Sequence, residues 1–221
     1  LSANLQEWGE ALHHPEIDTL YLGGGTPSLL APEELATLVQ SAREAFDFSP
    51  LREATLEANP GTIDQAWLDA VRRLGFDRLS LGIQTLDNGL LERLGRIHDA
   101  AEGLRALLMA QAAGFRRLSA DLMVGIPGQD LKRVISDART LVEAGATHLS
   151  VYMLDLDKSC PLSNRIKRGE LRLPSDDEVA DLFEALQEEL PRLGLNPYEI
   201  SNYAKPGEHS MVAYVQRGLS G

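Results

Sequence analysis

Cysteine is nearly absent from this 221-residue sequence, since Cys160 is the single one. An intrachain disulfide is therefore impossible, which fits a reducing compartment and predicts a cytoplasmic protein. A lone thiol followed by Pro161 is expected to be an inert loop residue rather than a nucleophile. The five histidines show no metal-ligand spacing, so the sequence predicts no metal site of its own.

Basic residues are scarce as well. The chain has 21 Lys and Arg against 33 Asp and Glu, for a net charge of −12. This balance argues against a nucleic-acid backbone or an anionic membrane as the main partner. No stretch approaches the roughly 20 apolar residues that cross a bilayer, so no integral membrane segment is expected.

The two ends of the sequence lack the usual signs of a complete protein. The chain starts at Leu1 without a Met, inside the helical pattern "SANLQEWGEALHH", and it stops at "RGLSG". We therefore expect an α/β domain that is incomplete at both ends.

Strand-like and helix-like runs alternate along most of the chain, with a period of about 30 residues that is typical of βα units. Repeated βαβ units predict a parallel sheet with right-handed crossovers. A doubly wound sheet and a barrel both remain open at this point. The predicted strands are 19–24, 53–59, 78–84, 117–125 and 148–154.

The two faces of these strands differ. One face is apolar, as in Leu79, Leu81 and Ile83, and suits packing under helices. The other is small and polar in strand after strand, as in Ser119 and Asp121, whereas strands buried on both faces are nearly continuous in Val, Ile and Leu. The pattern favours a partial (β/α) barrel with a polar lumen and with function at the C-terminal strand ends. A doubly wound sheet with a few tolerated polar residues is the alternative.

Polar groups stand at the ends of consecutive predicted strands: the 23–26 turn, Glu57, Gln84 and Asp121. Converging on one rim, they would form a polar ligand site, although each alone could be a helix cap or a salt-bridge partner. The turn "GGGT" is not a P-loop, and Ser28 stands where a dinucleotide fingerprint needs its third glycine. Three glycines let a backbone approach a ligand closely, or they form a tight turn with no ligand.

Five segments in order carry a family resemblance: "GGGTPSLL", "LEANPGT", "LSLGIQTLDNGLLERLGRIHD", "DLMVGIPGQ" and "YEISNYAKPGE". The sequence resembles the oxygen-independent coproporphyrinogen III oxidase family of radical S-adenosylmethionine (SAM) proteins, from residue 15 to residue 209. Within that family it is most similar to the haem chaperone branch. The resemblance implies a partial barrel of parallel strands and makes residues 1–221 a fragment of the radical SAM core domain.

The resemblance also implies cofactors and the residues that bind them. A [4Fe–4S] cluster is held in this family by a Cys-x3-Cys-x2-Cys loop. That loop would lie upstream of Leu1, so the cluster ligands are not in this chain, and neither is the family's C-terminal domain. No catalytic residue is assigned. The positions that match the family's SAM contacts are Gly24, Gly25, Thr26, Glu57, Gln84, Arg96 and Asp121.

The function implied is that of a haem chaperone, with haem or a porphyrin and haem-receiving proteins as partners. The segment "LGRIHD" favours this branch, because the oxidase branch tends to have Asn-Arg-x-Gln there. Haem binding itself rests on a His-Asn-x-x-Tyr-Trp signature, of which the chain keeps His209 and Tyr214 but has Ser210 and Val215. Two alternatives remain: an oxygen-independent coproporphyrinogen III oxidase that decarboxylates its substrate oxidatively, and a degenerate binding protein that never had a cluster.

Overall fold

The computed structural model describes residues 1–156 and 160–211. In that part of the chain, strands and helices alternate as the sequence predicts. The strands are β1 (Thr19–Leu22), β2 (Glu53–Ala58), β3 (Arg78–Gln84), β4 (Arg117–Val124), β5 (His148–Met153), β6 (Asn196–Pro197) and β7 (Asn202–Ala204). The helices are α1 (Ser2–Ala11), α2 (Pro32–Ala45), α3 (Gln65–Leu74), α4 (Asn88–Arg93), α5 (Ala100–Ala112), α6 (Leu131–Glu143), α7 (Pro161–Lys167) and α8 (Asp176–Arg192).

Local signals fix where the helices begin and end. Asp99 and Glu102 form a capping box at the start of α5, and Ser175 and Glu178 form another at the start of α8. Each box satisfies backbone N–H groups that have no partner inside the helix. Helix α3 ends at Gly75, whose φ of 103° is the left-handed conformation expected of a glycine C-cap.

The strand order decides between the two architectures left open by the sequence. The order is β1-β2-β3-β4-β5-β7-β6, with the first five strands parallel. A doubly wound sheet reverses its strand order at a switch point, and the parallel strands here follow one another without reversal. The partial barrel is therefore confirmed, and the doubly wound alternative is wrong. Among the residues that the structure describes, strand β1 pairs only with β2, so the barrel they form is not closed.

The core lies on the apolar face of the sheet. Leu79, Leu81 and Ile83 of β3 are fully buried there, as are Leu149 and Val151 of β5. Residues of α2, α3, α5, α6 and α8 complete this core. Because the helices cover this face, the opposite face of the barrel strands is left for a lumen.

One residue of the predicted apolar face does not follow the pattern. Met153 is 61% exposed. It is the last residue of β5 and lines a pocket together with Leu173 and with Val179 of α8. The apolar face of β5 is therefore buried at Leu149 and Val151 and reaches solvent at the end of the strand.

Four short elements were not predicted: α4, α7, β6 and β7. Strands of two and three residues are too short to show an alternation, and β7 is defined by antiparallel pairing with β5, as in the Leu149–Tyr203 pair. Cys160 is the N-cap of helix α7, and its Sγ accepts a hydrogen bond from Ser163 N at 3.3 Å. The cysteine expected in a loop therefore caps a helix.

The N-terminal end of the barrel is sealed by a buried ion pair and a late segment of the chain. Arg78 Nη2 lies 3.2 Å from Glu53 Oε2, and both side chains are buried. The same nitrogen donates to the carbonyl oxygens of Glu208 and His209 at 3.0 and 3.1 Å. Ser210 Oγ donates to Glu53 Oε1 at 3.0 Å. We call residues 208–211 the basal segment.

None of the described helices combines the length and the apolar character that a bilayer span would require.

Candidate functional site

Two adjoining chambers occupy the polar side of the barrel. The smaller, which we call the rim chamber, is a cavity of about 160 Å³ at the C-terminal ends of β1 to β4. The larger, the inner chamber, is a cavity of about 340 Å³ that reaches down to Arg78. Glu57, Ser80 and Asp121 line both chambers. The polar lumen expected from the strand pattern is therefore present.

The structure brings together all seven residues that the sequence singled out. Six of them line the rim chamber, and Gly24 joins them through its backbone N–H, which donates to Glu57 Oε2 at 3.1 Å. Their role in binding a ligand stays a prediction. The six that line the chamber are Gly25, Thr26, Glu57, Gln84, Arg96 and Asp121.

A glycine stands at each of the three positions after β1, and the surroundings differ at each position. A Cβ atom on Gly23 would overlap Tyr21 Cε1 and lie 2.7 Å from Glu57 Cδ. Gly24 has a φ of 106°, in the left-handed region that favours glycine. A Cβ on Gly25 would meet nothing within 4 Å. Gly24 is thus required by its backbone conformation, Gly23 leaves room for the Tyr21 and Glu57 side chains, and Gly25 leaves open space on the rim chamber.

Glu57 is held by both of its carboxylate oxygens. The Tyr21 hydroxyl donates a short hydrogen bond to Oε1, and Gly24 N donates to Oε2. Tyr21 reaches it because β1 and β2 are parallel neighbours, with Tyr21 opposite Thr55 in the register. Burial, the hydrogen bond to Glu57 and the charge of Glu57 raise the pKa of Tyr21, so the phenol keeps its proton as a donor.

Asp121 has a weaker set of partners. Ser80 Oγ donates to its Oδ1 at 3.5 Å, a long hydrogen bond. Burial and then the charge of Glu57 raise the pKa of Asp121 to about 7, while Arg96 and Ser80 oppose the shift. At neutral pH the charged and the neutral form of the Asp121 carboxyl are therefore both populated. A cationic ligand would favour the charged form.

Arg96 extends from the loop after α4 toward the ends of the strands. Its Nη2 donates to the Gly82 carbonyl at 2.7 Å, while its buried Nε–H has no partner among the described residues. Burial lowers the pKa of Arg96, and Asp121 opposes that shift. His98, two residues later, ties this loop to the strand ends through contacts of 3.2 Å with Asn59 Oδ1 and 3.3 Å with the Ile83 carbonyl.

Gln84 ends β3 in an unusual backbone conformation. Its φ is 71°, and the register between β3 and β4 shifts between Leu81 and Gln84. A side chain in the left-handed region is costly and persists only where neighbours hold it. Here buried Asp137 of α6 accepts from Thr85 Oγ1 at 2.6 Å and from Leu86 N at 2.9 Å, directly after the strained residue.

The inner chamber contains residues that the sequence did not single out as a site. His148 contacts Ser119 Oγ through Nδ1 and the Tyr198 hydroxyl through Nε2, both at 2.7 Å. Burial, Arg78 and His209 lower the pKa of His148 to about 3, so the ring is neutral at physiological pH. Tyr198 and Asn202 come from the β6–β7 region, whose segment "YEISNY" carried only a resemblance and no pattern of its own.

The donors of the rim chamber suit one of the two implied cofactors and not the other. SAM carries a sulfonium, an ammonium and a carboxylate, and the chamber offers two carboxyl groups, an unpartnered Arg96 Nε–H and the backbone of an open glycine turn. A [4Fe–4S] cluster needs several thiolates, and the sequence has one cysteine. Within residues 1–156 and 160–211, no group of three His, Cys, Asp or Glu side chains could hold a metal ion.

Curated relatives at moderate identity share a name. The chain is 36% identical over 207 residues to the protein named heme chaperone HemW of Haemophilus influenzae. The match covers 94% of this chain and 53% of that protein. It is 38% identical over 192 residues to the protein of the same name from Escherichia coli K12, with 87% and 50% covered. The chain thus spans about half the length of the curated relatives that it matches.

A solved structure and a family model agree with these relatives. Coproporphyrinogen III oxidase (HemN) from Escherichia coli, described as a radical SAM enzyme, superposes with a TM-score of 0.78 over 98% of this chain and 50% of that chain. The identity is 24%, so this likeness shows the fold alone. The model of the radical SAM superfamily matches residues 3–141, more than half of the chain. The chain belongs to the radical SAM superfamily.

Proposed function

We propose that this chain is the SAM-binding part of a haem chaperone. The observation that carries the proposal is the gathering of seven separate sequence positions at one chamber, with six of them in its wall. Membership of the radical SAM family implies SAM and a [4Fe–4S] cluster as the family's cofactors. The haem part of the proposal rests on the names of the relatives.

The residues of the rim chamber would share the recognition of SAM. The backbone at Gly24, Gly25 and Thr26 would run along the methionine part of the ligand. Glu57 and Asp121 would favour the positively charged groups, and the Arg96 Nε–H would donate to the carboxylate. Bound together with a reduced cluster, SAM supplies the radical chemistry for which this family is named.

The cluster would be held by residues other than these 221. The relatives are about twice as long as the matched region, and we propose that residues 1–221 correspond to part of the barrel domain of a longer protein. The cytoplasmic location expected from the single cysteine stays a prediction. Haem or a porphyrin, and proteins that receive haem, are proposed as partners on the relatives' names alone.

The inner chamber does not suit a tetrapyrrole. Its wall carries Glu57, Asp121 and Glu199 together with hydroxyl groups from serine, threonine and tyrosine. Large apolar ligands are usually bound by apolar and aromatic walls. We therefore propose that haem binds outside both chambers. His209 packs on Tyr198 at the base, with ring centroids 4.8 Å apart, and Tyr214 and Val215 lie outside the described residues.

A SAM titration of the whole chain tests the proposal. Without the cluster, SAM should bind with a Kd above about 1 µM in calorimetry. Arg96→Ala should weaken binding by about tenfold, because a charge-assisted hydrogen bond is lost. Arg105→Ala, on the exposed side of α5, removes the same charge away from the chambers and should leave the Kd unchanged.

Three results would contradict parts of the proposal. No SAM binding by the unmodified chain would reject the site and favour the degenerate binding protein. Equal effects of the Arg96 and Arg105 variants would reject the assignment of the rim chamber. Sub-micromolar binding would reject the expectation that the cluster normally supplies much of the affinity. No specific observation favours the coproporphyrinogen oxidase alternative, since the likeness to that enzyme shows the fold alone.

A further inference from the structure

We propose that Tyr21 is a positioning residue for SAM, which acts by holding the Glu57 carboxylate and the glycine turn in one arrangement. The inference rests on the proposed function, and it assigns a role to a residue that matches none of the seven expected contacts. Tyr21 lines the inner chamber and is absent from the wall of the rim chamber. Its influence on a ligand in the rim chamber would therefore pass through Glu57.

The geometry around Glu57 carries this inference. The Tyr21 hydroxyl occupies one carboxylate oxygen, and Gly24 N occupies the other at 3.1 Å. The two donors together fix the plane of the carboxylate. The second bond also fixes Gly24, whose left-handed backbone leads directly to the open position at Gly25. One hydrogen bond thus links Tyr21 to Glu57, and a second links Glu57 to the glycine turn.

Gly23 shows how closely the three parts fit. A Cβ at this position would collide with both the Tyr21 ring and the Glu57 carboxyl carbon. The chain therefore passes directly beneath the hydrogen bond between the two side chains. A larger residue at this position would have to displace one of the two side chains that form the bond.

If the hydroxyl were removed, the bond from Gly24 N would be the one described hydrogen bond left on the Glu57 carboxylate. Among residues 1–156 and 160–211, Tyr21 and Gly24 are the hydrogen-bond partners of its carboxylate. Asp121 shares the chambers and repels it, since the charge of Glu57 raises the pKa of Asp121. A Glu57 released by Tyr21→Phe is expected to turn away from Asp121 and to loosen its bond to Gly24.

The stability of the protein should depend little on this hydroxyl. Tyr21 lies on β1, the edge strand of the sheet, and is 43% exposed. Phenylalanine keeps the ring that packs over Gly23. A loss of SAM affinity without a loss of stability would thus report positioning rather than folding.

The test is a double-mutant cycle on the whole chain, with SAM affinity by calorimetry and Tm as readouts. Tyr21→Phe should weaken SAM binding by about fivefold or more, with a Tm change within about 3 °C. In a Glu57→Ala background, the same substitution should change the Kd by less than about twofold, because its target is gone. Thr19→Val removes a hydroxyl from the same strand outside both chambers and is the matched control.

The outcomes separate this inference from the function on which it rests. If the unmodified chain binds SAM and Tyr21→Phe binds it equally well, the positioning role is rejected and the proposed function stands. An equal loss in the presence and absence of Glu57 would also reject the role, because Tyr21 would then act independently. If the unmodified chain does not bind SAM, both proposals fall together.

Discussion

Glu57 of β2 and Asp121 of β4 line the same two chambers from strands that are not neighbours, with Ser80 of β3 between them. Two carboxyl groups are thereby brought together with Arg96 as the one cation that lowers the pKa of Asp121. Such an arrangement is unfavourable for the empty protein and favourable for a cationic ligand. The stability and the affinity of this site should therefore respond in opposite directions to the same substitutions.

Asp121→Ala tests whether the Asp121 carboxylate contributes to SAM affinity. We expect SAM affinity to fall by about tenfold or more, because a charged interaction is lost, while Tm does not fall and the fold stays intact. The measurement is calorimetry together with thermal unfolding on the same protein. Unchanged affinity with a large loss of stability would instead make Asp121 a structural residue that joins two elements.

The pH dependence of stability tests whether the charge of Asp121 destabilises the protein without ligand. The unfolded chain loses the Asp121 proton near pH 4, and the folded protein loses it at about pH 7. Between these values the folded state binds more protons, so the contribution of Asp121 to stability falls as pH rises. Asp121→Asn should therefore raise Tm at pH 8 relative to the unmodified chain, and the difference should vanish near pH 4. A Tm gain that is equal at both pH values would argue against the raised pKa.

Gly25→Ala asks whether a ligand occupies the open side of the glycine turn. The new methyl group meets nothing within 4 Å, so the protein should fold with an unchanged Tm. SAM affinity should nevertheless fall, by about tenfold, if the ligand runs along the turn. Gly103→Ala within α5 is the control: alanine is favoured there by about 1 kcal/mol and the affinity should not change. Normal SAM binding by Gly25→Ala would place the ligand elsewhere.

Anaerobic reconstitution with iron and sulfide should leave this chain colourless. The sequence has one cysteine, and a [4Fe–4S] cluster needs several thiolate ligands. Absorbance spectra before and after a chelator provide the measurement. A broad visible band that the chelator removes would show that the cluster site had been misplaced.

The base of the barrel should be a major source of stability and should contribute little to SAM binding. Glu53→Ala leaves Arg78 buried without its carboxylate partner, and we expect a loss of about 3–5 kcal/mol in denaturant unfolding. Glu188→Ala, which breaks an exposed pair with Arg192, should have almost no effect. If both variants lose the same small amount, the buried pair does not hold the base together.

The barrel could be predicted because its signals are local and repeated. Each of the five parallel strands shows an apolar face, as in Leu79 and Leu81 of β3, and helices such as α5 and α8 begin with their own capping boxes. The carboxyl groups Glu57 and Asp121 were found as strand-end residues for the same reason. Arg96 could be assigned only through the family resemblance, because a loop arginine carries no periodic signal.

Other parts of the site depend on contacts between distant residues. Nothing in the sequence around Tyr21 indicates that its hydroxyl meets Glu57, 36 residues later. The two residues that follow the left-handed Gln84 bond to Asp137, which lies on α6, more than 50 residues later in the chain. Strand β7 exists through its pairing with β5, and β6 through its pairing with β7, rather than through their own composition. Pairings of this kind become visible only when the chain is folded.

The basal segment also bears on when the protein can fold. Ser210 and Met211 bond to Glu53, 157 and 158 residues earlier in the chain. During synthesis the first strands and helices can assemble as they emerge, but the Glu53–Arg78 pair stays open to water until residue 211 has left the ribosome. The nascent barrel therefore presents a charged base to water until the basal segment has emerged, and the base can close only after that.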